Sequence, residues 1–208
     1  MSPTDDTSGS SAQPSFIQTA RRGQLVEAAI ETLAAVGYGK ASTVLIAQRA
    51  GVSRGVLTYH FRDRDDLIAE VVATVYALGV REVGPQTFGA SSPRAALLGF
   101  AAGSVEFYAA YPTHIAALTE IFNAGRHTDA PARPTRSEHN REMADVQDLL
   151  VAGQRDGQFR DFDAEQMASI IRAVLDVAAV QLTKGGSVEV VRHETVRAVD
   201  ALTRQEKQ

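Results

Sequence analysis

From Ser53 to His60 the chain sets a run of polar donors at close intervals: Ser53, Arg54, Thr58, Tyr59 and His60, with Gly55 among them. No cysteine is present, so thiolate chemistry, disulfides and cysteine–histidine metal sites are excluded. The five histidines, His60, His114, His127, His139 and His193, are scattered and form no HExxH pair. There is no phosphate-binding glycine loop and no nucleophile elbow, so bond-making chemistry has no candidate residues. The donor run suits recognition of DNA instead. A guanidinium such as that of Arg54 pairs bidentately with guanine, worth about 1–3 kcal/mol of discrimination. Gly55, without a side chain, lets the backbone come close to a phosphate.

Donors of this kind need a rigid carrier, and the flanking residues supply one. Residues 42–50 and 53–60 read as two short helices that meet at Gly51. Ala47 and Ala50 are small where the helices must cross, and Gly51 sits where a left-handed backbone is needed. Val52 fills the space between the helices, and Ser53 caps the second one through its hydroxyl. This is the pattern of a helix-turn-helix, whose second helix is of a size to enter a major groove.

Helical periodicity continues on both sides. Leu25, Ala29, Leu33 and Val36, with Val26 and Ile30 beside them, predict an amphipathic helix over residues 19–36, ended by Gly37 and Gly39. Asp63 is a good cap for a helix reaching about Val83, with Gly84-Pro85 and the cluster at 89–92 read as a break. Pro93 opens a segment over 93–110 that is apolar almost all round, as a buried central helix would be. Tyr111-Pro112 separates it from a helix reaching about Ala124. Residues 125–134, with two prolines, read as a mobile loop. Further helices are predicted over 136–155, over 164–184 behind a capping pair at Asp163 and Gln166, and over 188–203. No period-two alternation and no internal repeat is present, so the expected fold is all-α with about nine helices.

Net charge divides unevenly. Residues 21–64 hold seven basic residues (Arg21, Arg22, Lys40, Arg49, Arg54, Arg62, Arg64) against three acids (Glu27, Glu31, Asp63), a balance of +4. Residues 65–208 hold fourteen basic against twenty acidic residues, a balance of −6. A basic head on an acidic body fits a DNA-binding unit joined to one that does not bind DNA. Residues 1–18, rich in Ser, Thr and Asp, lack the apolar centre of a signal peptide and read as a disordered tail. No apolar run approaches the roughly 18 residues of a membrane span, so the expected location is cytoplasmic with no membrane partner.

The segment from about Arg22 to Val72 closely resembles the TetR family of transcriptional regulators. The resemblance is carried by Gly37-Tyr38, Ile46-Ala47, Ala50-Gly51-Val52-Ser53, Gly55, Leu57, Tyr59, His60-Phe61 and Leu67. It implies a three-helix DNA-binding domain over residues 19–64. A larger helical domain over 65–208 would then dimerise and bind a small effector. By the same resemblance Ser53 to Tyr59 is the recognition helix, Tyr59 and His60 touch backbone phosphates, and Arg64 gives a basic contact from the start of the fourth helix. A cation at a helix N-terminus opposes the helix dipole, which also favours a phosphate beside Arg64. One departure stands out: where many members carry a polar or basic residue early in the first helix of the pair, this chain has Val44 and Leu45. Base reading then shifts to Arg54, Thr58 and Ser42 or Thr43.

The partners implied are double-stranded operator DNA, a small-molecule effector of unstated identity and a second copy of the chain; no cofactor and no metal is expected. With about four phosphate contacts per monomer, the binding constant would fall with a log–log salt slope near −7. Glu106, His114, Asn123 and Asp176 are polar within apolar helical stretches, and with Phe107 and Phe122 they are the candidate pocket residues. The apolar coverage of 164–184 exceeds one face, as a dimerising helix requires. The expected function is a ligand-released repressor acting as a homodimer. The rivals are a helical interaction or ligand-binding module without DNA binding and, last, an all-helical enzyme.

Overall fold

A computed structural model describes residues 16–126 and 137–205. Nine helices occupy them: α1 (Phe16–Val36), α2 (Thr43–Arg49), α3 (Arg54–His60), α4 (Arg64–Phe88), α5 (Pro93–Ala110), α6 (Pro112–Arg126), α7 (Ser137–Arg155), α8 (Ala164–Thr183) and α9 (Val188–Thr203). The described residues contain no strand, only an isolated bridge between Phe159 and Arg204. The all-α expectation holds.

The starts of the helices follow local chemistry. Ser42, Ser53, Asp63, Ser92 and Asp163 each accept a hydrogen bond from the backbone N–H three residues on, which satisfies one of the orphan donors of the first turn. α1 begins at Phe16, so residues 16–18 are helical and do not belong to the expected tail. The rest of that tail and most of the 125–134 loop lie outside the described residues. Residues 125 and 126 themselves end α6.

One stop signal is overridden. α4 runs through Gly84-Pro85 to Phe88. A proline inside a helix removes one donor and crowds the preceding turn, at a cost of about 3 kcal/mol. Tertiary packing offsets it here. Val83 and Gly84 are buried, and the last turn lies against α5, where Gly103 faces the Val83 methyl and the Gln86 amide.

α5 is the axis of the body. It packs against α4, α7, α8 and α9, and its Ala96, Leu97, Ala101, Ala102 and Val105 are buried. One core cluster runs from Leu25 in α1 to Val199 in α9, with a smaller one at Val105, Ala178 and Val191. Burying each large aliphatic side chain in it contributes about 1.5–3 kcal/mol. Close approach is taken furthest at Gly153 in α7, where a Cβ would lie 2.1 Å from the ring of the buried Phe159. α6 bridges the two ends of the molecule, touching α1 and α4 as well as α5.

α8 is long and apolar enough by composition to cross a membrane, a property that counting uninterrupted apolar runs does not detect. The helix nevertheless carries Arg172 and Asp176 at its middle and packs on α7 and α9, as a core helix with one open apolar side does.

Candidate functional site

The head is built outward from α1. Leu25, Ala29, Ile30 and Leu33 are fully buried against Ile46 and Ala47 of α2 and Leu57 of α3. Gly51 turns the chain between α2 and α3 with φ +68°, a conformation that strains any residue with a Cβ. Val52 is half-buried against the core, and Ala47 and Ala50 are buried at the crossing, as their sizes imply.

This packing leaves one face of α3 in solvent. Arg54, Gly55, Thr58 and Tyr59 are exposed on it, Tyr59 at 73%. The Arg54 guanidinium has no partner among the described residues. The Thr58 hydroxyl donates to the carbonyls of Arg54 (3.2 Å) and Gly55 (3.1 Å), so its lone pairs remain to accept. The Tyr59 hydroxyl accepts from Gln18 of α1 at 3.2 Å. His60 is half-buried, edge-on to the Tyr59 ring at 5.1 Å. Ser42 is exposed and caps α2 by accepting from the Leu45 N–H at 3.2 Å; Thr43 beside it is half-buried. Ser53, also exposed, caps α3 at 3.4 Å from the Val56 N–H. Each capping hydroxyl keeps its proton to donate outward. Val44 is 56% exposed, an apolar group at the position where the chain departs from the family pattern.

The seven basic residues of the head are not equivalent. Arg22 pairs with Glu70 at 2.6 Å, donates to the His60 carbonyl and lies over the Phe61 ring. Arg49 pairs with Glu31, and Arg62 with Asp66. The hydrogen bond from Arg62 holds the Asp66 carboxyl below the usual carboxylate range. Arg21 donates to Gln24. Arg54 and Lys40 remain exposed with no ion pair among the described residues.

Arg64 is held from within the head. Its Nε donates to the Ala41 carbonyl (3.0 Å), one Nη to the Tyr38 carbonyl, and its guanidinium lies 4.1 Å over the Tyr38 ring. The dipoles of two carbonyls help offset this cation at the start of α4. Arg64 therefore clamps the α1–α2 turn. Glu120 of α6 reaches the same turn, accepting from the Tyr38 N–H at 3.2 Å.

The body contains a cavity of about 1170 Å³, walled by α4, α5, α6, α7 and α8. Phe107, Phe122, Asn123 and Asp176 line it, as the sequence suggests. Glu106 and His114 do not. Glu106 is exposed on the far side of α5, paired with Arg192 at 2.6 Å and accepting from Gln86. His114 sits 3.6 Å from Glu27 and edge-on to Tyr111. A polar residue within an apolar helix is a criterion that does not tell which side of the helix meets which neighbour.

The polar centre of the cavity wall is Arg172. Its Nε and Nη2 donate to Asp176 (3.0 and 2.8 Å), Nη1 to Glu142 (3.3 Å), and Nη2 also to the Tyr108 hydroxyl (3.0 Å). Burial pushes the Glu142 carboxyl up against the opposing pull of Arg172. Burial likewise pushes the Tyr76 and Tyr108 phenols above their ordinary value, for Tyr76 with the help of the Glu142 charge. The Tyr76 hydroxyl lies 3.2 Å from Nδ1 of His139. Sequence reasoning misses Arg172, Glu142, Tyr76 and Tyr108. A signal exists for the first: an arginine four residues before Asp176 in an otherwise apolar run. The described residues contain no cluster of side chains able to hold a metal ion.

Comparison with known proteins matches this layout. Residues 25–71 match the family of bacterial regulatory proteins named for tetR. The HTH-type transcriptional regulator BetI of Pseudomonas fluorescens is 42% identical over 84 residues, 39% of this chain and 42% of that protein. BetI of Pectobacterium carotovorum is 46% identical over 52 residues, 25% of this chain and 27% of its own. The chain thus spans less than half the length of these curated relatives. Among solved structures, one described as a TetR-family regulator from Rhodococcus sp. superposes with TM-score 0.73 at 23% identity, over 88% of this chain and 98% of its own. A regulator from Saccharomonospora viridis in complex with choline gives 0.70 at 20% identity, over 90% and 100%. The ketosteroid transcriptional regulator of Mycobacterium tuberculosis gives 0.68 at 22%, over 89% and 96%. At these identities the structures speak for the fold: a helix-turn-helix head on a helical body.

Proposed function

Because the chain belongs to the TetR family of bacterial regulatory proteins, whose members are regulators and not enzymes, we propose that it is a ligand-released repressor acting as a homodimer on a pseudo-palindromic operator. Residues 19–64 are the DNA-binding head, and 65–208 bind the effector and the second copy. The observation that carries the reading is the outer face of α3. An arginine with no ion pair among the described residues, a glycine and an outward threonine stand there on a short helix capped by Ser53 and locked at Gly51. Arg54 and Thr58 read base edges, while Ser42, Thr43, Ser53, Gly55, Tyr59 and His60 set the head in register against phosphates.

The partner surface is supported by the open side of α8, where Ile170, Val177 and Val180 are exposed at 45%, 58% and 45%. The same patch on two copies forms an isologous interface. Two helices connect cavity to head. α4 carries cavity residues such as Tyr76 and Val83 and starts at the Arg64 clamp. α6 carries Leu118, Thr119 and Phe122 and holds the Tyr38 turn through Glu120. An effector that prefers a different α4–α6 spacing shifts the population of head separations away from successive major grooves. The choline bound to the S. viridis regulator supports a small organic occupant for a body of this shape.

Fluorescence anisotropy with DNA upstream of its own gene tests the reading. Specific binding by a dimer is expected, with a log–log salt slope near −7. A slope no steeper than about −2, or no preference over unrelated DNA, would sink it.

A further inference from the structure

Resting on the DNA-binding reading above, we propose that Val44 is a specificity determinant: it reads the 5-methyl group of a thymine in each half-site. Val44 is 56% exposed, while the other aliphatic side chains of α2 and α3 are half-buried or buried. Its neighbours on α2 fix where it stands. Ile46 and Ala47 are buried in the head's core, and Arg49 reaches back to Glu31 of α1 at 3.4 Å. At 3.6 residues per turn, Val44 lies about 140° round the helix from Arg49, on the flank turned away from Glu31. The charge around it suits a polyanion. Residues 40–60 hold Lys40, Arg49 and Arg54 and no acid. Two residues before Val44, the Ser42 hydroxyl caps α2 and keeps its proton to donate outward.

An aliphatic group on this surface has few favourable places against DNA. Beside a phosphate it would strip water and return no hydrogen bond. Along the major-groove edge the bases present donors and acceptors, and the thymine methyl is the apolar group among them. Pressing one methyl on another takes both out of water, which for one buried carbon is about a fourfold gain in affinity. Valine is suited to that contact. Its β-branch leaves one strongly preferred rotamer in a helix, so its methyls are held in place before DNA arrives. Val44 thus adds an apolar test for thymine to the hydrogen-bonded test for guanine that Arg54 makes.

Operator DNA carrying uracil in place of thymine tests the proposal, because that change removes the methyl and keeps every hydrogen-bonding group. Thymines in the stretch protected upstream of the gene are replaced one at a time, in both half-sites together, and affinity is read by fluorescence anisotropy. One symmetric pair of replacements is expected to weaken binding by the unsubstituted protein about tenfold or more, two contacts of about fourfold each. In Val44→Ala that loss should vanish, while uracil at the other thymines keeps whatever effect it has. The variant's thermal melt should not fall, since the side chain is exposed and alanine is the better helix former. A loss at no thymine overturns the assignment and leaves the repressor reading standing. The same uracil profile in Val44→Ala as in the unsubstituted protein does so too. No preference of the unsubstituted protein for this DNA over unrelated DNA overturns both.

Discussion

The head and the cavity solve opposite electrostatic problems. In the head, acids compensate Arg22, Arg49 and Arg62, while Arg54 on α3 is exposed and has no ion pair among the described residues. In the cavity the most connected cation, Arg172, is turned inward and held by three partners. A charge kept for a partner outside must be left unsatisfied, and a charge that builds a wall must not be. Removing each should therefore have opposite signatures.

Arg172→Ala should cost about 3–5 kcal/mol of stability, because Glu142 and Asp176 would be left partly buried without their cation. Urea unfolding measures it, and a loss under about 1 kcal/mol would erase the contrast. Arg54→Ala should weaken operator binding by about 1–3 kcal/mol at each half-site while changing stability by no more than about 0.5 kcal/mol. Anisotropy and the same unfolding curve give both numbers.

Two glycines sharpen the comparison. Gly153→Ala forces a methyl into the Phe159 ring, an overpacking cost of about 1–3 kcal/mol in the body. Gly51→Ala meets no neighbour and should cost about 1–2 kcal/mol through its positive φ alone, with operator binding reduced as α3 shifts. A crystal structure of each variant separates the causes: a displaced ring in one, a distorted turn in the other.

The smallest effect is in the alkaline titration of the tyrosines. Burial favours the neutral phenol at Tyr76 and Tyr108, so the native protein retains protons that the unfolded chain releases above the ordinary value of 10.0. Stability should fall as pH rises through that value. Ultraviolet difference absorbance should show those two ionising only with unfolding. Early ionisation of Tyr76 and Tyr108 would mean that the cavity wall is open to water.

The head is legible in the sequence because its information is local. Ser42, Ser53 and Asp63 cap helices through bonds to residues three positions on, and Gly51 turns the chain by its own φ. The cavity is half legible. Phe107, Phe122, Asn123 and Asp176 line it as expected, but Glu106 and His114 are equally polar and equally placed in apolar helices. They lie elsewhere because Arg192 and Glu27, distant in sequence, meet them there. Pro85 fails as a stop signal for the same reason, since the packing that holds its helix together comes from α5.

From the sequence alone came the helix count, the capped turns and the donor set of α3, all set by interactions within a few residues. Tertiary structure decided which cations stay free and which polar residues face the cavity. It also tied Arg64 to the carbonyls of Tyr38 and Ala41. Those outcomes depend on pairings across 23 to 86 positions, where a partner's chemistry matters only once packing has brought it within hydrogen-bond reach.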